Sequence, residues 1–114
     1  MARAKGGFKT RRRRKKILER ASGYYSAGSR TIKIASERTD RAGVFAYRDR
    51  KVKKREFRRL WTVRINAAAR MNGTTYSRLI GALSTAGIEL DRKTLADMAI
   101  NDPQGFAEIC KSVN

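Results

Sequence analysis

The sequence has 114 residues, with 28 Lys plus Arg against 10 Asp plus Glu, a formal net charge of +18, no His and a single Cys. This composition excludes a conventional zinc-ligand set, a Ser-His-Asp triad, a Cys-His dyad and an internal disulfide. No segment approaches the roughly 18 consecutive apolar residues of a membrane span, so we expect no membrane partner and instead a polyanion as the partner of this cationic chain.

The positive charge is concentrated in the first seventy residues. Residues 1–70 hold 24 basic and five acidic residues, whereas residues 71–114 hold four basic and five acidic ones. Six consecutive cations occupy positions 11–16, and eight of the twelve residues at 48–59 are Lys or Arg. Because such segments repel themselves and bury little apolar surface, we expect residues 1 to about 50 to be disordered or partly helical until a partner neutralises them.

The first thirty residues are predicted to hold one short helix between two irregular segments. Residues 1–8 are expected to form an extended basic arm, without the apolar core of a secretory signal. A helix is predicted over 9–21, with Gly23 as its C-terminal stop. The Gly- and Ser-rich segment 22–29 is expected to be a loop, and Ser29 is a candidate N-cap for the next helix.

A long helix is the main predicted element. Pro is absent from 31–71, which favours either one helix or two helices bent near Gly43, since Gly costs about 1 kcal/mol in a helix interior. At 1.5 Å per residue, a single helix of this length would span roughly 60 Å. A rod of that length exceeds the needs of a domain of this size and suits a position in or on something larger.

The C-terminal part of the long helix shows a periodic apolar pattern. Six residues fall on one stripe of a 3.6-residue wheel: Phe57, Leu60, Trp61, Ile65, Ala68 and Met71. Arg64 interrupts this stripe, and two interpretations are open. Its stem packs while its guanidinium reaches solvent, or it forms an ion pair with a carboxylate such as Asp91 or Asp97.

Three short helices are predicted after the long one. Gly73 is expected to terminate the long helix, and Gly87 the first short helix. Asp91 is a good N-cap for the second short helix, and the pair Asp102-Pro103 is a strong start for the last one. These helices are expected to pack on the end of the long helix.

These elements predict an all-α fold in two parts. Residues 1–56 form a long basic N-terminal helical extension, made of the arm, the short helix, the loop and most of the long helix. Residues 57–114 form a small C-terminal helical domain that includes the end of the long helix. The 44 residues after position 70 alone are near the lower limit for independent folding, so the domain needs that helix end.

No catalytic site or cofactor is predicted. Without His, a general base would have to be Asp, Glu, Lys, Tyr or Cys, and neither GxGxxG nor GxxxxGK[ST] occurs in the sequence. Cys110 is interpreted as a small packing residue, and Asp40 and Asp49 as salt-bridge partners. We therefore expect a protein that is not an enzyme and has no small-molecule substrate.

The basic segments predict binding to folded RNA. Lys and Arg contact phosphates and release counterions, and unstacked bases can stack on the aromatic rings interleaved with these cations. Cations lie on every side of the predicted long helix, whereas a helix in the major groove of DNA normally reads with one face. Tyr24 and Tyr25 either stack on bases or anchor their loop. The candidate RNA-binding residues are Arg3, Lys5, Lys9, Arg11, Arg12, Arg13, Arg14, Lys15, Lys16, Tyr24, Tyr25, Arg30, Lys33, Tyr47, Arg48, Arg50, Lys51, Lys53, Lys54, Arg55, Arg58 and Arg59.

Several segments of the sequence resemble one protein family. They are AYRDRKVKKREFRRLWTVRINAAARMNG at 46–73, YSRLIGAL at 76–83 and GIELDRKTLADMAINDP at 87–103, preceded by RRRRKKILERASGYY at 11–25. Over nearly the whole chain they closely resemble the bacterial-type large-subunit ribosomal protein L20 (bL20) family. The combination of YRDR, FRRLW, RINAAAR and NG is far more specific than a basic composition.

The resemblance implies a structural constituent of the large ribosomal subunit. The family's extension threads into large-subunit ribosomal RNA (rRNA) and organises it during assembly, so the resemblance implies that the cations at 11–16 and 48–59 are embedded in rRNA. It also implies that Trp61, Ile65 and Ala68 form the junction with the C-terminal domain. Some members repress their own translation by binding messenger RNA through that domain. The implied partners are rRNA and neighbouring ribosomal proteins rather than a second copy, on a cytoplasmic bacterial ribosome or a plastid one.

Composition alone leaves two other classes open. One is a DNA-compacting, histone-like protein, and the other is an RNA-binding regulator that acts off the ribosome. Sedimentation separates these classes, because a ribosomal constituent is expected in the large-subunit peak after a moderate-salt wash.

Overall fold

The protein is an all-α chain, as predicted. In a computed structural model, which describes residues 2–113, the helices are α1 (Gly7–Arg20), α2 (Ile32–Met71), α3 (Tyr76–Thr85), α4 (Arg92–Asn101) and α5 (Pro103–Ser112), with a 3-10 turn at Ser26–Ser29. No strand occurs in this part of the chain. Met1 of the predicted arm and Asn114 of the predicted C-terminal domain lie outside the described residues. None of the helices found between residues 2 and 113 is both long and apolar enough to cross a membrane.

The chain divides into two compact units. The first unit ends at Lys51 and the second begins at Val52. Helix α2 therefore contributes residues 32–51 to the first unit and residues 52–71 to the second. The boundary predicted between residues 56 and 57 stays a prediction.

The first unit has very little core. Its buried residues, among those described, are Ala21, Gly28 and Ala35. Helix α1 begins at Gly7, two residues earlier than predicted, so the predicted arm over 1–8 is too long. One reason is that the guanidinium of Arg12 lies 5.0 Å from the centre of the Phe8 ring, a contact between residues one helical turn apart.

The segment between α1 and α2 is more regular than the predicted loop. It contains the 3-10 turn, and Gly23 has the positive φ of +85° that its assignment as a stop requires. The prediction of Ser29 as an N-cap is wrong, because its hydroxyl donates backwards to the carbonyl of Ser26 at 3.0 Å. Helix α2 begins instead after Thr31, whose carbonyl accepts the first helical hydrogen bond from the Ala35 N–H.

Helix α2 runs through Gly43 without interruption, so the chain forms one long helix and not two. At its C-terminus the N–H of Gly73 donates to the Arg70 carbonyl, and the N–H of Thr74 to the Ala69 carbonyl. This pair of bonds is the Schellman motif, which needs the left-handed conformation that Gly73 adopts at φ +76°. The predicted end of the helix is therefore confirmed.

The second unit has a continuous apolar core. Helices α2 to α5 all contribute buried side chains to it. The fully buried members are Ile65, Ala69, Leu79, Leu83, Leu95, Ala96, Phe106 and Cys110. Partly buried apolar residues, including Trp61 and Ala68, pack around them. Of the six residues of the predicted stripe, three are thus in or against the core.

The other three residues of the stripe are exposed. Phe57 and Leu60 keep 44% and 40% of their surface in solvent, and Met71 keeps 88%. The core-facing part of α2 begins at Trp61, so Phe57 lies one turn before it, and its ring centre lies 6.2 Å from that of Trp61. Beyond Trp61 the buried residues are Ile65 and Ala69, which are spaced by four. The stripe predicted from periodicity alone is therefore too long at both ends.

Local chemistry defines the starts of α4 and α5 and the end of α3 as predicted. The N–H of Thr94 donates to Oδ1 of Asp91 at 2.7 Å, and the N–H of Gly105 donates to Oδ1 of Asp102 at 3.0 Å. These side chains satisfy backbone groups that have no partner inside the helix. Gly87 ends α3 with φ +69°.

Candidate nucleic-acid interface

The candidate residues lie on five segments in chain order. Arg3 and Lys5 precede α1, positions 9–16 belong to α1, Tyr24 and Tyr25 precede the 3-10 turn, Arg30 follows that turn, and all candidates from position 33 onward lie on α2. Every candidate is solvent-exposed except Tyr24, which is half-buried. The candidates of the first unit end at Lys51, and those from position 53 to 59 belong to the second unit.

Few of these cations have an acidic partner within the protein. In residues 2–113, three ion pairs lie within 4.0 Å: Lys15 with Glu19 at 3.9 Å, Arg48 with Asp49 at 2.8 Å and Arg59 with Glu56 at 3.0 Å. Their side chains are all exposed, and exposed pairs add little to stability in water. The positive charge is therefore free to meet an external anion.

Helix α2 exposes its charged middle on every side. Residues 40–51 and 53–60 are all exposed, and only Val52 between them is half-buried. If another helix of the chain packed against this stretch, at least one side of it would be buried, because packed helices bury a stripe of side chains. One face of the helix carries cations spaced by four residues, at Arg50, Lys54 and Arg58. The adjacent face carries Lys51 and Arg55 with the same spacing. An anionic partner could thus contact this stretch from several directions.

Exposed aromatic rings on these helices each lie beside a cation. The guanidinium carbon of Arg48 lies 4.8 Å from the centre of the Phe45 ring, and that of Arg41 lies 6.0 Å from it. The ammonium of Lys51 lies 4.4 Å from the centre of the Tyr47 ring and donates to its hydroxyl at 3.1 Å. Such pairs are held by the three- or four-residue spacing along one helix face.

Sequence reasoning missed some members of this set. Phe8 and Arg41 are exposed and belong to cation–aromatic pairs, yet neither is among the candidate residues. The signal that would have found them is the i, i+4 spacing of Phe8 with Arg12 and of Arg41 with Phe45.

The hydrogen bond between Arg48 and Asp49 has an electrostatic consequence. The side-chain hydrogen bond and the nearby negative charge of Asp49 both raise the pKa of Arg48 above its usual range. Asp49 is thus a salt-bridge partner, as predicted. The same prediction is wrong for Asp40, which lines a groove with Arg13, Arg14 and other residues but makes no ion pair within 4.0 Å in the described structure.

The two tyrosines before the 3-10 turn have different environments. Tyr24 is half-buried and its N–H donates to the carbonyl of Ala21 at 3.1 Å. Tyr25 keeps 87% of its surface in solvent, and its carbonyl accepts from the Gly28 N–H at 3.2 Å. Tyr24 therefore fits the loop-anchoring interpretation, whereas the ring of Tyr25 is free for a partner.

A groove on the second unit brings Trp61 and Arg64 beside carboxylates of α4. It is lined by both of these residues together with Asp91, Lys93 and Asp97. Arg64 is exposed and forms no ion pair within 4.0 Å with any described side chain. The ion-pair interpretation of Arg64 is therefore wrong, and the interpretation with its guanidinium in solvent agrees with the structure.

The described residues contain no group of three His, Cys, Asp or Glu side chains that could hold a metal ion. Cys110 is 1% exposed in the core, and burial raises the pKa of its thiol above 9.0. A thiol that is buried and kept protonated is a poor nucleophile. Cys110 is a packing residue, as predicted.

The sequence matches known proteins along almost its full length. The family model described as ribosomal protein L20 matches residues 3–109. The chain belongs to the ribosomal protein L20 family. It is 65% identical over 111 residues to the large ribosomal subunit protein bL20 of Bdellovibrio bacteriovorus, which covers 97% of this chain and 96% of that protein. Proteins of the same name from Geobacter metallireducens and Chloroflexus aurantiacus are 59% and 60% identical over 109 residues, covering 96% of this chain and 93% and 92% of their own lengths.

Membership in the L20 family confirms the class of protein that the resemblance implied. The chain is a structural constituent of the large ribosomal subunit and not an enzyme. It is thus a ribosomal protein, as expected, and the three relatives named above are bacterial proteins. Of the classes left open by composition, the family favours the ribosomal one over a DNA-compacting protein or a regulator that acts off the ribosome.

Proposed function

We propose that the basic extension binds large-subunit rRNA directly and organises it during assembly of the subunit. The observation that supports this most strongly is the exposed charge on α2, where residues 40–51 and 53–60 contact solvent on all sides. So dense a positive charge destabilises the folded chain, because like charges repel each other. It therefore points to a partner and not to a role in the stability of the protein. Phosphates of folded RNA can neutralise it from several directions.

The chemistry of the exposed side chains fits RNA in particular. Arg and Lys supply the phosphate contacts, and each contact releases condensed counterions. Exposed rings such as Tyr25, Phe45 and Tyr47 offer surfaces on which unstacked bases can stack. RNA in loops and junctions presents both groups at once, whereas the bases of duplex DNA are already stacked. An assembly role follows, because one cationic helix can hold several RNA segments together.

The second unit supports a narrower part of the proposal. From position 71 onward the sequence has four basic and five acidic residues, so this C-terminal part of the unit lacks the charge for strong nonspecific binding. We include in the proposal that this unit contacts neighbouring ribosomal proteins or specific RNA features, including messenger RNA in repression of the chain's own translation. A reporter fused behind the gene's own leader should fall in expression when residues 52–114 are supplied in trans.

The experiment on the extension replaces all six cations at 11–16 by Gln. Binding of the full chain to a transcript of bacterial large-subunit rRNA is then measured from low to moderate salt. If all six contact phosphates, the slope of log affinity against log salt should become less negative by about 4 to 5. The control replaces three exposed cations of the second unit, Arg78, Lys93 and Lys111, and should change the slope little. Equal slopes in the parent and the six-Gln variant would contradict the proposal for this segment.

A further inference from the structure

Arg38 contacts a turn thirteen residues before it, although it was not among the candidate residues. It lies on the second turn of α2, and its Nη1 donates to the carbonyl of Tyr25 at 3.0 Å. The same carbonyl accepts from the N–H of Gly28 at 3.2 Å. Two donors from different elements therefore hold the backbone of Tyr25, while its ring keeps 87% of its surface in solvent.

Gly28 provides the space that the Arg38 side chain occupies. Gly28 is buried, and a Cβ built on it would lie 2.9 Å from both Cδ and Cζ of Arg38 and closer still to Nη1. Gly28 does not have a positive φ, so glycine is needed here for room and not for backbone conformation. Since the atoms in the way belong to the far end of a flexible side chain, a methyl group at position 28 would displace the guanidinium without forcing the backbone apart.

The turn held by this contact contains a strained residue. Ser26 has φ +53°, and it is the one residue other than glycine with positive φ in the described chain. The hydroxyl of Ser29 donates to the Ser26 carbonyl and supports the same turn. A left-handed serine persists only where its surroundings hold it, and such residues are concentrated at functional sites.

We infer that Arg38 is a positioning residue for RNA binding, which acts by holding the turn so that Tyr25 presents its ring to an RNA base. The inference rests on the proposed function, because it needs the extension to bind rRNA. Removing an aromatic ring on which one base stacks lowers the affinity for RNA by about 5-fold to 100-fold. As the extension orders on the RNA, the contact of Arg38 beside Gly28 fixes the turn, so that less conformational freedom remains to be lost when the Tyr25 ring stacks on a base.

Gly28→Ala in the full chain tests this inference without changing any charge. Binding to a transcript of bacterial large-subunit rRNA is compared for the parent, Gly28→Ala, Tyr25→Ala and the double variant. We expect both single variants to bind at least about 5-fold more weakly, with unchanged salt dependence, and the double variant to bind no more weakly than Tyr25→Ala. The matched control is Gly81→Ala on α3, outside the basic extension, where a Cβ also meets nothing within 4 Å; it should bind as tightly as the parent.

Three results would separate the inference from its alternatives. Parent-like binding by Gly28→Ala overturns it. So does an equal loss from Gly28→Ala in the parent and in the Tyr25→Ala background, because Arg38 would then stabilise the packing of the helices and not act through the ring. A parent chain that fails to bind the transcript overturns the proposed function itself, and the inference with it. Circular dichroism of each complex should show the same helix content, which confirms that the extension has not lost its fold.

Discussion

Arg92 Nε donates a 2.8 Å hydrogen bond to the hydroxyl oxygen of Tyr76, and this contact joins the first residue of α4 to the first residue of α3. Burial raises the pKa of Tyr76, but hydrogen bonds with Arg92 and Thr62 and the positive charges of Arg92 and Arg58 outweigh it, so the pKa lies below 10.0. The contact thus stabilises both the neutral hydroxyl and, more strongly, the phenolate.

Tyr76→Phe should destabilise the second unit by about 1 kcal/mol at neutral pH, because it removes this hydrogen bond and leaves Arg92 without it. Urea unfolding followed by the fluorescence of Trp61, the only Trp in the sequence, measures the change. A lowered tyrosine pKa gives extra stability above the unfolded pKa, and that stability is lost as pH falls through the folded pKa. The advantage of the parent over Tyr76→Phe should therefore widen as pH rises towards 10. A constant difference would contradict the pKa assignment.

Ile65→Ala should destabilise the second unit by about 3 kcal/mol, since Ile65 is fully buried among residues of all four helices of the core. Val63→Ala is the matched control on the same helix, because Val63 keeps 66% of its surface in solvent. Its effect should stay within about 0.5 kcal/mol. Equal unfolding midpoints for the two variants would contradict the position of the core.

Trp61 is half-buried, so Trp61→Ala should lower the free energy of unfolding by less than the loss of a fully buried Trp would.

Asp91→Asn should make the stability of the second unit less dependent on pH in acid. The side-chain and backbone hydrogen bonds from Thr94 lower the pKa of Asp91 below 3.8. A lowered carboxyl pKa gives stability that is present above the unfolded pKa and is lost as pH falls through the folded pKa. Asn caps a helix about as well as Asp but does not titrate. Denaturation midpoints measured at decreasing pH should therefore fall faster for the parent, and parallel curves would show that the cap contributes nothing to acid sensitivity.

The two units should behave differently as isolated fragments. Residues 52–114 contain the whole apolar core and should unfold cooperatively on heating. Residues 1–51 bury only Ala21, Gly28 and Ala35 in the part described, too little to offset the entropy of ordering. Circular dichroism should show little helix in this fragment until RNA is added. A stable helical signal without RNA, or a non-cooperative transition in residues 52–114, would contradict the two-part organisation.

Features decided by local chemistry were predictable from the sequence. Gly73, Gly87, Asp91 and Asp102 each act through hydrogen bonds to residues within five positions of them, so their types and spacing were sufficient. The long helix was predictable because no Pro interrupts it.

Features that depend on how the surrounding chain folds were not predictable. Ser29 has the right chemistry for an N-cap, but its hydroxyl binds the carbonyl of Ser26, which lies within reach only because of the 3-10 turn. The exposure of Met71 depends on where α3 to α5 pack on α2, which periodicity alone does not contain. The contact of Arg38 with Tyr25 and Gly28 requires that α2 pack against the preceding turn. Among the candidate cations, the sequence gives the charges but not the RNA geometry that would rank them.

The most direct test of the central claim is a protein–RNA cross-linking map of large ribosomal subunits that contain this chain, purified after a moderate-salt wash. If the basic extension binds rRNA, the chain should sediment with the subunit and its cross-links to rRNA should fall mainly within residues 2–59, including Tyr25 and the exposed middle of α2. Recovery of the chain in the supernatant, or cross-links confined to residues 60–113, would contradict the account.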